Sequence, residues 1–423
     1  MFVDFDHWTK GRSVASLGTN AGSAALPFQR WRHFKEAFAP EVVREAIAAS
    51  PVPVLRCLDP FGGSGTTALA CQFLGVSPTT IEVNPYLADL IEAKLETYDC
   101  ERLVSALTTV VRRAPQLTDV AEQFLEGLPV TFVETSAKDR WIFDAPVARR
   151  LSQLLLAIEE LTVESERRLF RIFLGGIMIG VSNAIVNGKG RRYRRNWSAT
   201  RRTAADVDKA FIDIATSAIG EIDRYSRRRE TSYSVRRGDC RTALDSNDQF
   251  DIAIFSPPYP NSFDYTDVYN IELWMLGYLR GTADNRRLRE DTLSSHVQIF
   301  REFAAPPMGS PSLSNTLDAL ESVRDDLWSR NIPAMIGGYF ADMKLVMQNV
   351  ASSLVKDGQM WMVVGDSRYA DVKIPVAQVL AEIAPELGLE VDRLDVLRDM
   401  RSSAQQGGKH ELAESLVVVR RLG

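Results

Sequence analysis

A short apolar run that ends in two consecutive prolines limits the fold of this chain more than any other feature. Residues Phe250 to Phe255 are almost all apolar, and Ser256-Pro257-Pro258-Tyr259 follows at once. Such a run is typical of a buried strand in a parallel sheet. Because proline fixes its φ angle and has no N–H group, the hydrogen-bond ladder cannot continue past it. The sequence therefore predicts a strand that ends in a rigid corner, although most corners of this kind do no more than end a strand.

The predicted corner presents groups with a specific chemistry. It offers the hydroxyl of Ser256, free backbone carbonyls and the flat ring of Tyr259. Hydroxyl and carbonyl oxygens accept hydrogen bonds from an amine, and an aromatic ring stacks on a base. The combination suits a flipped-out nucleic-acid base that is held by its exocyclic amine.

A glycine-rich motif lies between a predicted strand, Val54 to Leu58, and a predicted helix, Thr67 to Leu74. Glycines allow a backbone to approach a ligand closely, and the N-terminus of a helix favours polar or anionic groups. No lysine follows the last glycine, so the motif is not a phosphate-binding P-loop. The motif reads Asp59-Pro60-Phe61-Gly62-Gly63-Ser64-Gly65-Thr66.

An acid, Glu82, ends the next predicted strand, about 20 residues after the glycine-rich motif. In nucleotide-binding folds an acid at this place accepts hydrogen bonds from ribose hydroxyls. It can also be a helix N-cap or a solvated strand end. Together with the glycine-rich motif, Glu82 favours a nucleotide-type site at the carboxyl edge of a parallel sheet.

The two motifs together resemble those of the amino-group DNA methyltransferases, which use S-adenosylmethionine. In that family the glycine-rich motif binds the methionine part of the cofactor, and the Pro-Pro-Tyr motif binds the target amine. The segment Arg30 to Ile47, which contains Phe38, is similar to the family's N-terminal cofactor motif. Asp239 matches the acid expected near the adenine ring, and Val364-Gly365-Asp366-Ser367 is similar to the end of the fifth strand. The leading serine resembles the cytosine-N4 branch more than the adenine-N6 branch.

The resemblance implies a direct transfer of the methyl group to the amine. No covalent cysteine is needed; carbon-5 methylation of cytosine would use one, typically after a proline, and no cysteine of this chain follows a proline. Asp264 and Tyr265 either line the same pocket or are a loop acid and a packing aromatic residue. The implied catalytic residues are Ser256, Pro257, Pro258 and Tyr259, and the implied cofactor contacts are Phe38, Glu82, Asp239 and the whole glycine-rich motif.

The resemblance also implies an α/β fold with a Rossmann-like, seven-stranded methyltransferase sheet. A large, mostly helical insertion is expected between the cofactor and catalytic motifs, for DNA binding and target recognition. The predicted units are an N-terminal arm (1–27), the cofactor half of the core (28–98), the helical insertion (99–230), the catalytic half (231–279), a second insertion or loop (280–332) and the C-terminal part of the core (333–423).

A basic run lies within the predicted helical insertion. Residues Asn187 to Arg202 include seven Lys or Arg and no acid, whereas the whole chain has a net charge of −5. A charge run is usually a solvated face, but one of this density in an acidic protein predicts phosphate contacts with double-stranded DNA. The predicted contacts are Lys189, Arg191, Arg192, Arg194 and Arg195, with Tyr193 and Trp197 as stacking groups.

Composition narrows the remaining possibilities. The four cysteines are scattered and histidine is rare, which argues against a metal site and a disulfide framework. No signal peptide is evident, and the longest apolar stretch, Ile172 to Val186, is too short to span a bilayer. We therefore expect a cytoplasmic protein with restriction or defence-system proteins as candidate partners. The alternatives are an adenine-N6 enzyme, an RNA base-amine methyltransferase and an inactive DNA-binding subunit.

Overall fold

The computed structural model describes residues 3–14, 16–20, 22–32, 37–187, 190–229, 231–401 and 411–423. The strands are β1 (Arg56–Asp59), β2 (Ser77–Glu82), β3 (Ala184–Asn187), β4 (Gly190–Tyr193), β5 (Ser234–Arg237), β6 (Phe250–Phe255), β7 (Leu354–Gly365), β8 (Ser367–Tyr369), β9 (Val372–Ile374), β10 (Leu389–Arg401) and β11 (Glu411–Arg421). The helices are α1 (Phe5–Thr9), α2 (Glu41–Ala49), α3 (Thr66–Leu74), α4 (Pro85–Leu95), α5 (Cys100–Arg113), α6 (Thr118–Glu126), α7 (Ala145–Glu159), α8 (Glu164–Val181), α9 (Ala204–Arg224), α10 (Tyr265–Val268), α11 (Asn270–Met275), α12 (Thr282–Glu290), α13 (Pro311–Ser322), α14 (Ile332–Ser353) and α15 (Val376–Ile383).

Seven strands form one sheet in the order β10-β11-β7-β6-β1-β2-β5. The pairs from β7 through β5 are parallel, whereas β11 is antiparallel to both β7 and β10. This arrangement confirms the predicted Rossmann-like sheet of seven strands. The chain order reverses at β1, which has β2 on one side and β6 on the other. Ligands of such sheets bind outside the carboxyl ends of the strands at this switch point.

Both sequence motifs leave the sheet at the switch point. β1 ends at Asp59, the first residue of the glycine-rich motif, and β6 ends at Phe255, directly before Ser256. The two strands are paired, with Leu58 opposite Ala253. The motifs therefore emerge side by side, although the predicted helical insertion separates them in the chain.

Helices cover both faces of the sheet, which explains why β6 is apolar at nearly every position. Ile252 and Ile254 pack into the hydrophobic cluster that contains α3, α4 and the insertion helices. Ala253 and Phe255 point the other way, into the cluster formed with α13, α14 and α15. Because side chains alternate along a strand, the two faces of β6 pack into two different hydrophobic clusters.

The segment 99–230 packs directly on the cofactor half of the core. Its helices α5 to α9 share one hydrophobic cluster with α3 and α4. Leu151, Leu154 and Ile158 are fully buried along one face of α7, as their spacing predicts. The basic run begins at the end of β3 and supplies β4, which pairs with β3 as an antiparallel hairpin within this otherwise mostly helical segment.

The N-terminal arm packs against the same cluster. The rings of Trp8 and Phe73 stack with centroids 4.8 Å apart. Farther along, the Glu221 carboxylate on α9 accepts hydrogen bonds from the backbone N–H of Phe28 (2.8 Å) and the indole N–H of Trp31 (3.0 Å). These contacts hold Phe28 and Trp31 against α9, within the hydrophobic cluster that also contains α3 and α4.

The apolar stretch near residue 172 belongs to α8, whose side chains Phe170, Phe173 and Met178 are fully buried. Within the described ranges, no helix combines the length and apolar character needed to cross a membrane. In the same ranges, no group of three or more His, Cys, Asp or Glu side chains is arranged to hold a metal ion.

Candidate active site

A cavity of about 380 Å³ opens at the carboxyl ends of β1 and β6. This volume is within the usual range of small-ligand pockets. Two of the predicted cofactor residues, Gly65 and Asp239, do not line this cavity. The predicted residues that line it are Phe38, Asp59, Pro60, Phe61, Gly62, Gly63, Ser64, Thr66, Glu82, Ser256, Pro257, Pro258 and Tyr259.

The glycine-rich motif forms a tight turn that closes onto β2. The Gly62 N–H donates to the Ile81 carbonyl at 3.0 Å. A Cβ atom on Gly62 would lie 2.3 Å from Thr80 Cγ2, so only glycine fits there without a shift. Gly65 has a φ of 79° and precedes the first residue of α3, which gives it a backbone role in starting the helix.

The turn and Glu82 are joined directly. One Glu82 oxygen accepts from the Gly63 N–H and the other from the Asn84 N–H, both at 2.7 Å. Burial raises the pKa of Glu82 to about 7, against the opposing effect of these hydrogen bonds. A carboxylate oxygen can accept more than one hydrogen bond. Glu82 can therefore hold the turn and still accept hydrogen bonds from the hydroxyl groups of a ribose.

A buried lysine on α4, which the motifs did not predict, stabilises the turn by a hydrogen bond to its backbone. Lys94 Nζ donates to the Ser64 carbonyl at 2.7 Å and to Gln29 Oε1 at 3.3 Å. Burial lowers the pKa of Lys94 to about 7. Burial also raises the pKa of Asp59 to about 6, and one Asp59 oxygen accepts from the Phe61 N–H at 3.0 Å. The turn is thus linked through Lys94 to Gln29, just after the N-terminal arm, and is held by Asp59 at the end of β1.

The Ser-Pro-Pro-Tyr corner faces the glycine-rich turn across the cavity. Ser256 Oγ lies 3.4 Å from the Tyr259 hydroxyl, which donates to Glu414 Oε1 at 3.0 Å. Arg398 Nε donates to Glu414 Oε2 at 2.5 Å. Burial raises the pKa of Tyr259 well above its ordinary value. Glu414 and Arg398, which also line the cavity, were not predicted from the sequence.

Asp239 is held by an arginine instead of facing the cavity. Its carboxylate accepts from Arg241 Nε at 2.8 Å, and Arg241 also pairs with Asp342 at 2.9 Å. The neighbours Gly238 and Cys240 do line the cavity. The segment after β5 therefore reaches the cavity through Gly238 and Cys240 and not through the predicted carboxylate.

The predicted second insertion supplies an unpredicted wall of the cavity. Its lining residues run from Leu288, in the last turn of α12, to His296 in the loop that follows this helix. The Ser262 N–H donates to the Ser295 carbonyl at 2.9 Å, which joins this wall to the loop after the corner. Tyr265 lines the cavity, whereas Asp264 caps α10 by accepting from the Thr266 N–H at 2.9 Å.

The basic hairpin lies beside the loop that follows the corner. Arg191 Nη2 is 3.9 Å from Asp267 Oδ1 on α10. Arg192 and Arg195 are exposed, but Arg194 donates to the Ile179 carbonyl at 2.6 Å and the Ser182 carbonyl at 3.0 Å. Arg194 thus satisfies orphan carbonyls at the end of α8, a role that a basic run does not reveal.

The remaining predicted DNA contacts are the two stacking groups, Tyr193 and Trp197, and Lys189. Trp197 packs edge-on against Trp141 with ring centroids 5.0 Å apart, and its centroid is 5.8 Å from that of Tyr193. Both predicted stacking groups therefore belong to an aromatic cluster at the base of the hairpin. Lys189 lies outside the described residues.

Comparisons with known proteins give relatives along nearly the whole chain. No family model matches. The chain is 27% identical over 436 residues to the Type II methyltransferase M.AvaI of Nostoc sp., which covers 96% of this chain and 87% of the relative. It is 22% identical over 441 residues to the Type II methyltransferase M.BsoBI of Geobacillus stearothermophilus, which covers 95% of this chain and 86% of the relative.

Two solved structures are similar at a lower level. TrmN from Thermus thermophilus has a TM-score of 0.32 and 9% identity and covers 93% of this chain and 52% of its own. The rRNA methyltransferase aviRa from Streptomyces viridochromogenes has a TM-score of 0.31 and 13% identity and covers 91% and 85%. The sequence relatives confirm the resemblance to methyltransferases that the two motifs carry, and S-adenosylmethionine is the methyl donor that they imply.

Proposed function

We propose that this protein is an S-adenosylmethionine-dependent DNA methyltransferase that methylates the N4 amine of cytosine. The observation that carries the proposal is that the glycine-rich turn, Glu82 and the Ser-Pro-Pro-Tyr corner line one cavity at the switch point of the sheet. The similarity to Type II methyltransferases supports DNA as the substrate. The leading serine of the corner supports cytosine over adenine.

The cofactor half of the cavity fits S-adenosylmethionine. Glu82 presents a buried carboxylate for ribose hydroxyls, and the turn at Gly62 and Gly63 lets a ligand contact the backbone. The apolar ring of Phe38 lines the same cavity. When bound, this cofactor supplies an electrophilic methyl group on a sulfonium centre.

The corner holds the amine that receives the methyl group. The lone pair of an exocyclic amine is conjugated into the base, so the amine is a weak nucleophile. Hydrogen bonds from its two N–H groups to Ser256 Oγ and the Pro257 carbonyl draw the nitrogen toward a tetrahedral shape and free the lone pair. Because two fixed acceptors do this without moving, the contribution is positioning and preorganised electrostatics.

Tyr259 completes the proposed base pocket. Its hydroxyl is held by Glu414, and Gly365 leaves room for its ring, since a Cβ there would lie 2.4 Å from Tyr259 Cε2. The ring is therefore fixed in place before a base arrives. Stacking of a base on such a ring contributes about 1–3 kcal/mol.

The test of the proposed function is nucleoside mass spectrometry on DNA from cells that express the protein. N4-methylcytosine is the expected product, and a variant with Ser256→Ala is the matched negative control. N6-methyladenine would refute the choice of base. Methylated RNA with unmodified DNA would refute the choice of substrate.

We expect the exposed arginines of β4 and of the turn that follows it to contribute to DNA affinity. Replacing Arg192 and Arg195 together by alanine should weaken binding about tenfold at low salt and reduce the slope of log affinity against log salt by about 2, because each arginine that contacts a phosphate releases counterions. Fluorescence anisotropy on a labelled duplex at several salt concentrations measures both quantities. Arg194 is kept because it caps α8.

The matched control for the hairpin variant replaces Arg324 and Arg330, two exposed arginines outside the hairpin. It carries the same change in net charge. An equal loss of affinity in the control would assign the effect to net charge and remove the hairpin from the DNA-binding surface.

We expect cofactor affinity to rise with pH up to about 7 and to level off above it. The pKa of Glu82 is raised to about 7, so the carboxyl is increasingly neutral below that pH. Two ribose hydroxyls favour the ionised form, and binding therefore releases a proton at low pH. The affinity should change by up to about tenfold per pH unit below 7. Calorimetric titration with S-adenosylmethionine from pH 5 to 8 measures the profile.

The variant with Glu82→Gln separates this effect from other titrating groups. Glutamine cannot ionise, and only the smaller contribution of Asp59, with a pKa of about 6, would remain. The variant should bind the cofactor more weakly at pH 8 and show a flatter profile. An unchanged profile would remove Glu82 from the cofactor site.

A further inference from the structure

Three hydrogen bonds among four side chains connect the Ser-Pro-Pro-Tyr corner to the far edge of the sheet. Ser256 Oγ lies 3.4 Å from the Tyr259 hydroxyl, and the Tyr259 hydroxyl lies 3.0 Å from Glu414 Oε1. Arg398, opposite Glu414 in the ladder of β10 and β11, donates to Glu414 Oε2. Glu414 is only 4% exposed. The corner is thus linked to a carboxylate that lies 155 residues away in sequence.

The chemistry of these groups allows only one direction of hydrogen bonding. An ionised carboxylate only accepts hydrogen bonds, and a guanidinium only donates them. The single hydrogen of the Tyr259 hydroxyl is therefore directed to Glu414. The contact between Tyr259 and Ser256 then requires the Ser256 hydrogen to point at the tyrosine oxygen.

This direction decides what Ser256 presents to the cavity. A free serine hydroxyl can either donate or accept. With its one hydrogen turned toward Tyr259, Ser256 Oγ has lone pairs left for a group in the cavity. An amine, which has N–H groups, meets an acceptor there, whereas the carbonyl oxygen of a keto base meets lone pairs.

We infer that Glu414 is a positioning residue, which acts through Tyr259 to keep Ser256 an acceptor for the target amine and so favours amino bases over keto bases. The inference rests on the proposed function. The strand geometry supports the arrangement. Glu414 is opposite Gly365 in the ladder of β11 and β7, and the missing side chain of Gly365 is what lets the Tyr259 ring lie over this position.

The sharpest test is Glu414→Gln, which keeps the size of the side chain. Arg398 requires an acceptor, so the glutamine oxygen would face Arg398 and its NH2 group would face Tyr259. Tyr259 would then accept from glutamine and donate to Ser256, which reverses the hydrogen bonds on both sides of the Tyr259 hydroxyl and leaves that of Arg398 unchanged. We expect kcat for methyl transfer to DNA to fall by at least about tenfold, with the cofactor Kd unchanged.

A double-mutant cycle with Tyr259→Phe distinguishes a relay from a merely structural role. Tyr259→Phe removes the linking hydroxyl and lets the Ser256 hydrogen turn freely, so it should lower kcat on its own. In the Tyr259→Phe protein, Glu414→Gln should cause no further loss, because two residues that act through one contact are not additive. The same fold-loss of kcat in both backgrounds would overturn the relay, as would full activity of Tyr259→Phe alone.

The control variant is Glu382→Gln, which also removes a charge that accepts hydrogen bonds. Glu382 accepts from Ser310 and Ser312, outside the cavity lining, and its variant should keep the wild-type kcat.

A wild-type protein that transfers no methyl group to DNA would refute the proposed function. An active wild type with an equally active Glu414→Gln variant would refute the relay alone.

Discussion

Replacing Ser256 by alanine is expected to lower kcat for methyl transfer to DNA by about 10²–10³-fold, the loss typical of removing one preorganised hydrogen-bond partner. Ser256 lines the cavity on the side of the Pro-Pro corner, and the cofactor turn is on a different strand. Alanine removes the acceptor of the target amine and leaves Glu82 and the glycine-rich turn intact. The cofactor Kd should therefore change by less than about twofold. Transfer of a tritiated methyl group at saturating cofactor, with a calorimetric titration of the cofactor, measures both quantities.

The control for this variant is Ser353→Ala. Ser353 is also buried, and its hydroxyl donates to the Val350 carbonyl at 2.8 Å in α14. Its loss should leave kcat unchanged. A Ser256→Ala protein with wild-type kcat would remove the serine from the site, and a protein that loses both kcat and cofactor binding would show a disturbed fold instead of a lost acceptor.

The parts of the site that the sequence predicts are those made by contiguous residues at strand ends. β6 has the predicted bounds, Phe250 to Phe255, because its apolar run and the following prolines are both local signals. The glycine-rich turn is equally local, since Gly63 and Gly65 have a positive φ, which favours glycine. A parallel sheet then brings the two strand ends together, because its carboxyl edge is where both chains leave it.

The parts that the sequence does not predict depend on distant pairing. Glu414 reaches Tyr259 only because β11 lies antiparallel to β7 with Glu414 opposite Gly365, and no local pattern sets that register. The wall from Leu288 to His296 begins in the last turn of α12 and continues as an irregular loop, and an irregular loop has no hydrophobic periodicity that would predict its position. In sequence Arg194 cannot be distinguished from its basic neighbours. Its structural role depends on its hydrogen bond to a carbonyl at the end of α8, which is visible only in the structure.

Replacing Gly62 by alanine is expected to weaken cofactor binding at least about tenfold, because overpacking of this kind costs about 1–3 kcal/mol. The new Cβ would lie 2.3 Å from Thr80 Cγ2 and 2.7 Å from Ile91 Cδ1. Thr80 is buried, and its branched side chain has little freedom to turn away. The turn itself must then move, and it would pull the Gly63 N–H away from Glu82. Calorimetric titration with S-adenosylmethionine measures the loss.

The steric cause can be tested by removing the atoms that clash. Thr80→Ser deletes Cγ2, and Ile91→Val deletes Cδ1, so both changes together should restore much of the cofactor affinity to the Gly62→Ala protein. Gly220→Ala is the matched control, since nothing lies within 4 Å of a Cβ at that position on α9, and it should leave cofactor binding unchanged. If the compensating changes fail while the folded state is as stable as in the wild type, Gly62 contributes to binding through its backbone freedom and not through the space at Thr80. If Gly62→Ala binds the cofactor normally, the turn does not approach the cofactor as closely as its packing on β2 implies.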